Sequence, residues 1–155
     1  AERDALLDSI EDITDKAIVA LLVLEGLRTV EVTRLTVGDV DFIRSLLQVQ
    51  GKGKNTRKAI KLFDACKAIL QQYLQSGEGV ALSAPKSAPL FPELVTAQIR
   101  YRVDKYLKAL DLKRPKMSAH SLRHTAGQLM IDKGVEPVWV QRHLRHELFE
   151  TTQFY

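Results

Sequence analysis

His120 and Arg123 stand three residues apart in the segment HSLRHT, residues 120–125. A histidine exchanges protons near neutral pH, and an arginine can bind an oxyanion through a planar fork of N–H donors. On a helical wheel, His124 and Gly127 fall in the same sector as these two residues, and the first turn of a helix offers further N–H groups to an anion. The pattern predicts a phosphate-binding site, although a solvated basic face has the same pattern.

A second arginine, Arg28, follows an apolar stretch at residues 17–27, and Glu31 stands three residues after it. An arginine beside a buried helix needs an anionic partner, because an unpaired charge in the interior is costly. Glu31 can be that partner in a purely structural ion pair, or a phosphate can take the role. Lys52 lies in a Gly- and Asn-containing turn at residues 51–55, where a lysine commonly serves solubility. Spacing alone leaves these alternatives open.

The segments that must position these side chains are mostly helical. Apolar residues recur at intervals of three and four, which is the helical period, whereas two β-prone stretches flank the turn that holds Lys52. The predicted helices cover residues 17–27 (with an end at Gly26), 29–35, 64–76 (capped by Asp64), 94–110, 118–133 and 137–146, and a hairpin pairs residues 45–50 with 56–62. Residues 77–92 are rich in turn formers and are expected to form an exposed loop. The prediction is a mainly α domain with a small antiparallel β-hairpin or sheet.

The composition is that of a globular domain. The 155 residues are 45% hydrophobic and 27% charged, which excludes collagen-like and bulk-disordered chains. Lysine and arginine total 23 against 19 acids, yet residues 1–41 hold ten of the acids and only four of the bases. Residues 42–155 therefore carry 19 bases and nine acids. Such an excess favours a phosphate-rich partner such as a nucleic acid, although basic runs also occur as solvated faces.

Cysteine usage and hydropathy restrict the compartment. Cys66 is the only cysteine, which excludes an intramolecular disulfide and a multi-cysteine zinc site, and it is predicted to be a small buried residue of a helix. The longest aliphatic run, residues 17–24, is eight residues long, far below the roughly 18–20 that cross a bilayer. We expect a soluble protein of the cytoplasm that has no membrane partner.

Four segments, taken in order, resemble the catalytic domain of the tyrosine recombinases, the phage integrase family. EGLRTVE (residues 25–31) resembles the family's first arginine motif, and VQGKGKNTR (residues 49–57) resembles its β-hairpin lysine motif. HSLRHT is similar to the His-x-x-Arg box, and VQRHLRH (residues 140–146) followed by TTQFY (residues 151–155) is similar to the segment with the last histidine and the nucleophilic tyrosine. The family usually has glycine where Arg145 stands, so either the helix ends without a left-handed glycine or this side chain adds a base near the site.

The resemblance implies a set of site residues. Catalytic roles are implied for Arg28, Lys52, His120, Arg123, His146 and Tyr155. Glu31 is expected to orient Arg28 or His120 without contacting DNA. DNA-binding roles are expected for Lys54, Arg57, His124 and Arg145. No metal and no cofactor is expected, because the sequence has no carboxylate cluster suited to a metal ion and no P-loop.

The implied reaction is attack of the Tyr155 hydroxyl on a DNA phosphodiester, which gives a 3′-phosphotyrosyl bond and a free 5′-hydroxyl. A phenol with a pKa of about 10 must lose its proton during the attack, and His120 is the expected acceptor or relay. Lys52 is the expected general acid for the leaving 5′-oxygen, with Lys54 as its nearby rival.

The phosphate itself is expected to be bound by arginines. The forks of Arg28 and Arg123 would bind the non-bridging oxygens as charge builds on them, and His146 would add a hydrogen bond. Because the covalent link conserves bond energy, strand transfer is expected to be reversible and to need no ATP.

Residues 1–155 are expected to be one catalytic domain of a longer enzyme, without the DNA-clamping domain that precedes it in the family and without the tail that follows the tyrosine. The expected partner is double-stranded DNA, and the family's assembly is a homotetramer on two duplexes. Two alternatives stay open. A type IB topoisomerase would relax single circles, whereas a non-catalytic DNA-binding module would use the two short helices that residues 136–154 also match.

Overall fold

Seven helices and a three-stranded antiparallel sheet make up the part of the chain that the computed structural model describes, residues 2–51, 57–111 and 118–145. The helices are α1 (Glu2–Ser9), α2 (Ile13–Val23), α3 (Thr29–Thr33), α4 (Asp64–Ser76), α5 (Thr96–Ala109), α6 (Ala119–Asp132) and α7 (Pro137–Leu144). The strands are β1 (Val40–Asp41), β2 (Leu46–Gln50) and β3 (Arg57–Lys61), and a 3-10 turn, Val37–Asp39, precedes β1. The predicted mainly helical fold with a small antiparallel sheet is confirmed.

Helix α2 is the centre of the core because its last seven residues are all apolar. Its residues 17–23 are at most 1% exposed, and α1, α4, α5 and α6 pack around it. The Asp12 carboxylate caps its start by accepting a hydrogen bond from the Asp15 N–H at 2.9 Å. Burying each of its larger aliphatic side chains contributes roughly 1.5–3 kcal/mol. The helix is therefore a rigid base for the segments that follow it.

The turn after α2 directs the chain toward the start of α3. Gly26 has a φ of +74°, a conformation that residues with a Cβ rarely adopt, and a Cβ at this position would collide with the side chain of Leu144. Arg28 follows as the N-cap of α3. The predicted restart at residue 29 is confirmed, whereas α2 runs from Ile13 to Val23 rather than from residue 17 to Gly26, which lies in the turn after the helix.

The sheet is a meander in the order β1, β2, β3. Leu47 pairs with Val40 on one side and with Ile60 on the other. These three side chains and Val49 are buried, which is the alternation expected of strands with one face on the core. The predicted hairpin is confirmed by the pairing of β2 with β3, while β1, with two residues, is too short to show alternation in the sequence.

Helices α4 and α5 each bury one face, whose members recur at helical spacing. They are Cys66, Leu70 and Tyr73 in α4 and Ile99, Val103 and Leu107 in α5. The predicted burial of Cys66 is thereby confirmed. Asp64, the predicted cap of α4, is instead the first residue of this helix. The N-cap is Phe63, which has an extended backbone conformation. Its N–H donates to Glu25 Oε2 at 2.8 Å.

Helices α6 and α7 enclose a second, smaller apolar cluster of Ala126, Met130, Val140 and Leu144. Gly134 turns the chain after α6, and Pro137 occupies the first turn of α7, both as predicted. Helix α7 ends at Leu144, before the predicted end at residue 146.

Helix α1 is absent from the sequence-based prediction. It has only eight residues and a weak apolar pattern, and it docks mainly through Leu6 and Leu7, with Ile10 just after it. Within the described ranges, no helix is long and apolar enough to span a membrane.

Candidate active site

Three parts of the fold meet at one cavity: the turn before α3, the start of α5 and the start of α6. The cavity has a volume of about 490 Å³. Its polar lining consists of Arg28, Thr29, Thr96, Arg100, Ser118, His120 and Arg123. The structure therefore brings together three of the predicted site residues, Arg28, His120 and Arg123.

Arg28 lies at the N-cap of α3, and its guanidinium is partly open to solvent. Its backbone N–H donates to Glu31 Oε1 at 2.7 Å, and its Nη1 lies 3.5 Å from Glu31 Oε2. The Arg28 side chain is 38% exposed. Glu31 thus caps the start of the helix and contacts the guanidinium without enclosing it, and Arg28 lines the cavity.

Arg123 lies in the interior, in the first turns of α6, and is 2% exposed. Its Nη1 donates to the carbonyl of Gly26 and its Nη2 donates to the carbonyl of Leu144, each at 2.5 Å. Nη1 also lies 3.9 Å from Glu31 Oε1. The guanidinium is therefore fixed between the end of α2 and the end of α7, at the inner wall of the cavity.

The helical-wheel prediction for α6 is wrong at two positions. The wheel places Arg123 and Gly127 in the same polar sector as His120 and His124. In the structure Arg123 and Gly127 are buried, whereas both histidines are exposed. Helix α6 packs against α2, α5 and α7. A helix with three neighbours buries more than one stripe, so an arginine with partners in those neighbours can lie inside.

His120 and His124 stand one turn apart on the exposed side of α6, and His120 lines the cavity. Their Nε2 atoms are 2.9 Å apart, and their rings meet edge-on with centroids 4.5 Å apart. Partial burial and the charges of His120 and Arg123 lower the pKa of His124. A neutral His124 can accept a hydrogen bond from the Nε2–H of His120 beside the cavity.

The Glu31 carboxylate is the anionic centre of this cluster. It is fully buried, and Arg145 donates to both of its oxygens, from Nη2 to Oε1 at 2.6 Å and from Nε to Oε2 at 2.9 Å. Burial raises the pKa of Glu31, but the hydrogen bonds and charge of Arg145, the Arg28 N–H and the charge of Arg123 outweigh it, so that the pKa is lowered. Glu31 is thus ionised, and of its two predicted partners Arg28 is in contact with it.

Arg145 ends α7 in the left-handed conformation, with φ 61° and ψ 36°. The helix therefore ends in a left-handed residue although that residue is not glycine. The side chain points inward to Glu31, and the residue is 7% exposed. Arg145 was predicted to contact DNA, but in the structure its guanidinium is bound by the buried carboxylate of Glu31.

Arg57, for which a DNA contact was also predicted, begins β3. Its Nε lies 2.8 Å from Asp39 Oδ1, and the side chain is 34% exposed. This ion pair ties the hairpin to the 3-10 turn before β1. The roles of Arg57 and His124 in DNA binding stay predictions.

Four predicted site residues lie outside the described residues: Lys52, Lys54, His146 and Tyr155. The residues directly before Lys52 and His146 belong to the described part of the chain. Gly51, which precedes Lys52, accepts a hydrogen bond on its carbonyl from Arg34 Nη1, and Arg145 precedes His146. The roles of all four residues stay predictions.

Two charged residues beside the site are absent from the sequence-based prediction. Arg100 lines the cavity; it lies within residues 42–155, whose excess of bases indicated a basic segment but did not single out this residue. Glu25 is fully buried, with its Oε1 3.5 Å from His143 Nε2. Burial raises the pKa of Glu25 although the hydrogen bonds and charge of its neighbours lower it. An acid directly after an apolar helix was the signal that could have identified it.

The chain is similar in sequence to bacterial tyrosine recombinases. It is 30% identical over 154 residues to tyrosine recombinase XerD of Haemophilus ducreyi, and the match covers 96% of this chain and 51% of that protein. It is 34% identical over 143 residues to tyrosine recombinase XerC of Corynebacterium efficiens, covering 91% of this chain and 45% of that protein. The chain thus spans about half the length of these relatives.

The fold is similar to solved recombinase structures. The match to XerA recombinase has a TM-score of 0.86 at 25% identity and covers 99% of this chain and 57% of that chain. The match to XerH site-specific recombinase bound to difH substrate, a pre-cleavage complex, has a TM-score of 0.81 at 23% identity and covers 99% of this chain and 47% of that chain. The sequence pattern of the phage integrase family matches residues 1–155. This chain belongs to the phage integrase family.

Proposed function

We propose that this chain is the catalytic domain of a site-specific DNA recombinase, which cleaves and rejoins DNA strands through a 3′-phosphotyrosyl intermediate. The observation that carries the proposal is the convergence of Arg28, His120 and Arg123 on one cavity of about 490 Å³. Two guanidinium groups and a histidine are suited to a phosphodiester that has to be bound and then cleaved with proton transfer. Membership of the phage integrase family supports the same reaction.

The charges around the cavity favour an anion. Arg28, Arg100 and Arg123 line it, while both oxygens of the nearby Glu31 carboxylate are bound by Arg145. The three arginines of the lining thus outnumber the single carboxylate of Glu31. A phosphodiester has one negative charge and two non-bridging oxygens, so it is complementary to this lining.

The proposed chemistry begins with attack of Tyr155 Oη on the phosphorus atom. The new oxygen–phosphorus bond forms as the bond to the 5′-oxygen breaks, the phenolic proton passes to His120, and Lys52 donates a proton to the leaving oxygen. The products are a 3′-phosphotyrosyl link and a 5′-hydroxyl. Attack by a 5′-hydroxyl on that link reverses the step with the same groups, so the proposed strand transfer needs no ATP.

The arginines stabilise the transition state in this scheme. Arg123 is held by the carbonyls of Gly26 and Leu144 before DNA binds, so its donors need not reorganise as charge builds on the phosphate oxygens. Arg28 approaches from the start of α3, and His146 adds a hydrogen bond. Guanidinium groups thereby take the part that metal ions play in other phosphoryl-transfer enzymes.

The proposed partner is double-stranded DNA, and the proposed assembly is a homotetramer that holds two duplexes during strand exchange. A protein with this substrate works where the DNA of a bacterium, an archaeon or a phage lies, which is the cytoplasm.

Covalent trapping tests the proposed chemistry. The probe is a pool of short duplexes of randomised sequence with a nick in one strand, because cleavage near the nick releases a short 5′-hydroxyl strand and prevents religation. Denaturing electrophoresis is expected to show DNA linked to the protein, and peptide mass spectrometry is expected to place the link on Tyr155. DNA binding without any covalent adduct would instead identify a non-catalytic DNA-binding module.

A second experiment separates recombination from relaxation. Two plasmids that carry a sequence recovered from the trapped complexes are incubated with the protein. Exchange of segments between the plasmids supports a recombinase, whereas relaxed single circles without exchange would identify a type IB topoisomerase.

A further inference from the structure

We propose that Arg145 is a positioning residue for the cleavage step. Its guanidinium ties the end of α7 to Glu31 and thereby fixes the end of this helix relative to the turn that carries Arg28. The inference rests on the proposed function, because His146 and Arg28 act on a phosphodiester only in that reaction.

The guanidinium of Arg145 is bound entirely within the protein. Nε and Nη2 donate to the two oxygens of Glu31 at 2.9 Å and 2.6 Å. Nη1 donates to the carbonyl of His143, and Nη2 lies 3.4 Å from the carbonyl of Gly26. The side chain is 5% exposed. A guanidinium held on both carboxylate oxygens is fixed in direction as well as in distance, so Arg145 is a rigid link between α7 and α3.

The backbone of Arg145 supports the same role. Its φ of 61° is unfavourable for a residue with a Cβ, and glycine is the residue that commonly ends a helix in this conformation. This chain nevertheless has a long charged side chain here, and its charge is directed at a buried carboxylate. The ion pair therefore holds in place the turn that directly precedes His146.

Arg145 is also the closest of the three arginines that pair with Glu31. While Arg145 occupies both oxygens of Glu31, that carboxylate lies 3.5 Å from Nη1 of Arg28 and 3.9 Å from Nη1 of Arg123. Without Arg145 the buried carboxylate would draw these guanidinium groups closer, because an ionised carboxylate in the interior needs a close cationic partner. Loss of Arg145 should therefore slow cleavage more than it weakens DNA binding.

The test compares Arg145→Gly with Arg142→Met in single-turnover covalent trapping on the nicked duplex pool. Arg142 lies on the same helix, is exposed, and its guanidinium packs over the Trp139 ring at 4.8 Å. Its replacement removes one positive charge from α7 outside the Glu31 cluster. Arg145→Gly suits the left-handed backbone, and circular dichroism and thermal unfolding check that the variant is folded.

Arg145→Gly is expected to form the covalent complex on the order of a hundredfold more slowly, with a Kd for the duplex pool within about threefold of wild type. Arg142→Met is expected to keep the wild-type rate. Arg145→Lys retains the charge but cannot bind both oxygens, so an intermediate rate is expected. The acidic limb of the rate profile should move to higher pH in Arg145→Gly, because Glu31 loses the partner that keeps it ionised.

A wild-type rate and an unshifted pH profile in Arg145→Gly would overturn the inference. Equal losses of rate and affinity would also overturn it, since they would make Arg145 a DNA contact. If wild-type protein forms no adduct, the proposed function fails; if it does and the Arg145 variants match it, only the inference fails. Should Arg145→Gly not fold, the rate of Arg145→Lys decides, and a full wild-type rate in that variant counts against the positioning role.

Discussion

Arg123 joins the start of α6 to the end of α7 through a hydrogen bond of 2.5 Å from its Nη2 to the carbonyl of Leu144. The last carbonyls of a helix have no partner within the helix, so this bond satisfies an acceptor that would otherwise be left unpaired in the interior. The other terminal nitrogen of the same guanidinium donates to the carbonyl of Gly26. One buried side chain therefore sets the relative positions of the two segments that flank the cavity.

Replacing Arg123 with lysine is expected to lower the cleavage rate by about two to three decades. A lysine ammonium keeps the charge, but its single nitrogen cannot replace the two separate terminal nitrogens that bind the Gly26 and Leu144 carbonyls. Single-turnover formation of the covalent complex measures the loss. Arg102→Lys, the same change in an ion pair with Asp15 away from the cavity, is the control and should cleave at the wild-type rate. Near-normal cleavage by Arg123→Lys would contradict the proposed clamp.

Tyr155→Phe is expected to abolish covalent attachment while changing the Kd for DNA by less than about threefold, because one hydroxyl contributes little beside several phosphate contacts. Electrophoretic mobility shift measures the affinity, and denaturing electrophoresis measures the attachment. Tyr101→Phe removes a hydroxyl from an exposed tyrosine of α5 and should leave attachment intact. A large loss of affinity in Tyr155→Phe would argue against its role as the nucleophile.

Local patterns in the sequence predict the main elements of this fold because helices and hairpins depend on nearby residues. Helix α6 follows from its apolar period, and the contact between Arg28 and Glu31 follows from their spacing of three residues. Strand β1 and helix α1 are too short for a period to stand out, so they were missed.

The contacts that build the site could not be predicted in the same way, because they join distant segments. The pair of Arg145 with Glu31 spans 114 residues and depends on how α7 packs against α6. The burial of Arg123 likewise depends on carbonyls from two other segments. The family's glycine at the position of Arg145 gave no indication that an arginine here would turn inward to a carboxylate.

Gly26→Ala is expected to lower the free energy of unfolding by about 2–4 kcal/mol, since it combines an unfavourable backbone conformation with a collision against Leu144. Urea unfolding monitored by circular dichroism measures the change. Gly134 is the matched control, because its φ is +88° but a Cβ there would meet nothing within 4 Å. Gly134→Ala should therefore cost only about 1 kcal/mol of backbone strain. Equal losses in the two variants would show that contact with Leu144 is not the cause.

The buried carboxyl of Glu25 makes the stability of the fold depend on pH. Its Oε2 accepts the Phe63 N–H at 2.8 Å, whereas Oε1 has no hydrogen-bond partner in the described part of the chain and lies 3.5 Å from His143 Nε2. Burial raises the pKa of Glu25 above its ordinary value of 4.5. The folded state therefore binds a proton at this site more tightly than the unfolded state does, and the contribution of Glu25 to stability decreases as pH rises from 4.5 through the raised pKa.

Glu25→Gln is expected to make the protein more stable than wild type at neutral pH and to flatten the dependence of stability on pH. The glutamine keeps an oxygen for the Phe63 N–H and removes a charge from a site where ionisation is unfavourable. Urea unfolding at a series of pH values measures both effects, and Glu78→Gln, at an exposed position, is the control that should leave the profile unchanged. If wild type and Glu25→Gln lose stability equally as pH rises above 4.5, the carboxyl of Glu25 is ionised in the folded protein without penalty. In that case its pairing with His143, rather than its burial, determines its charge.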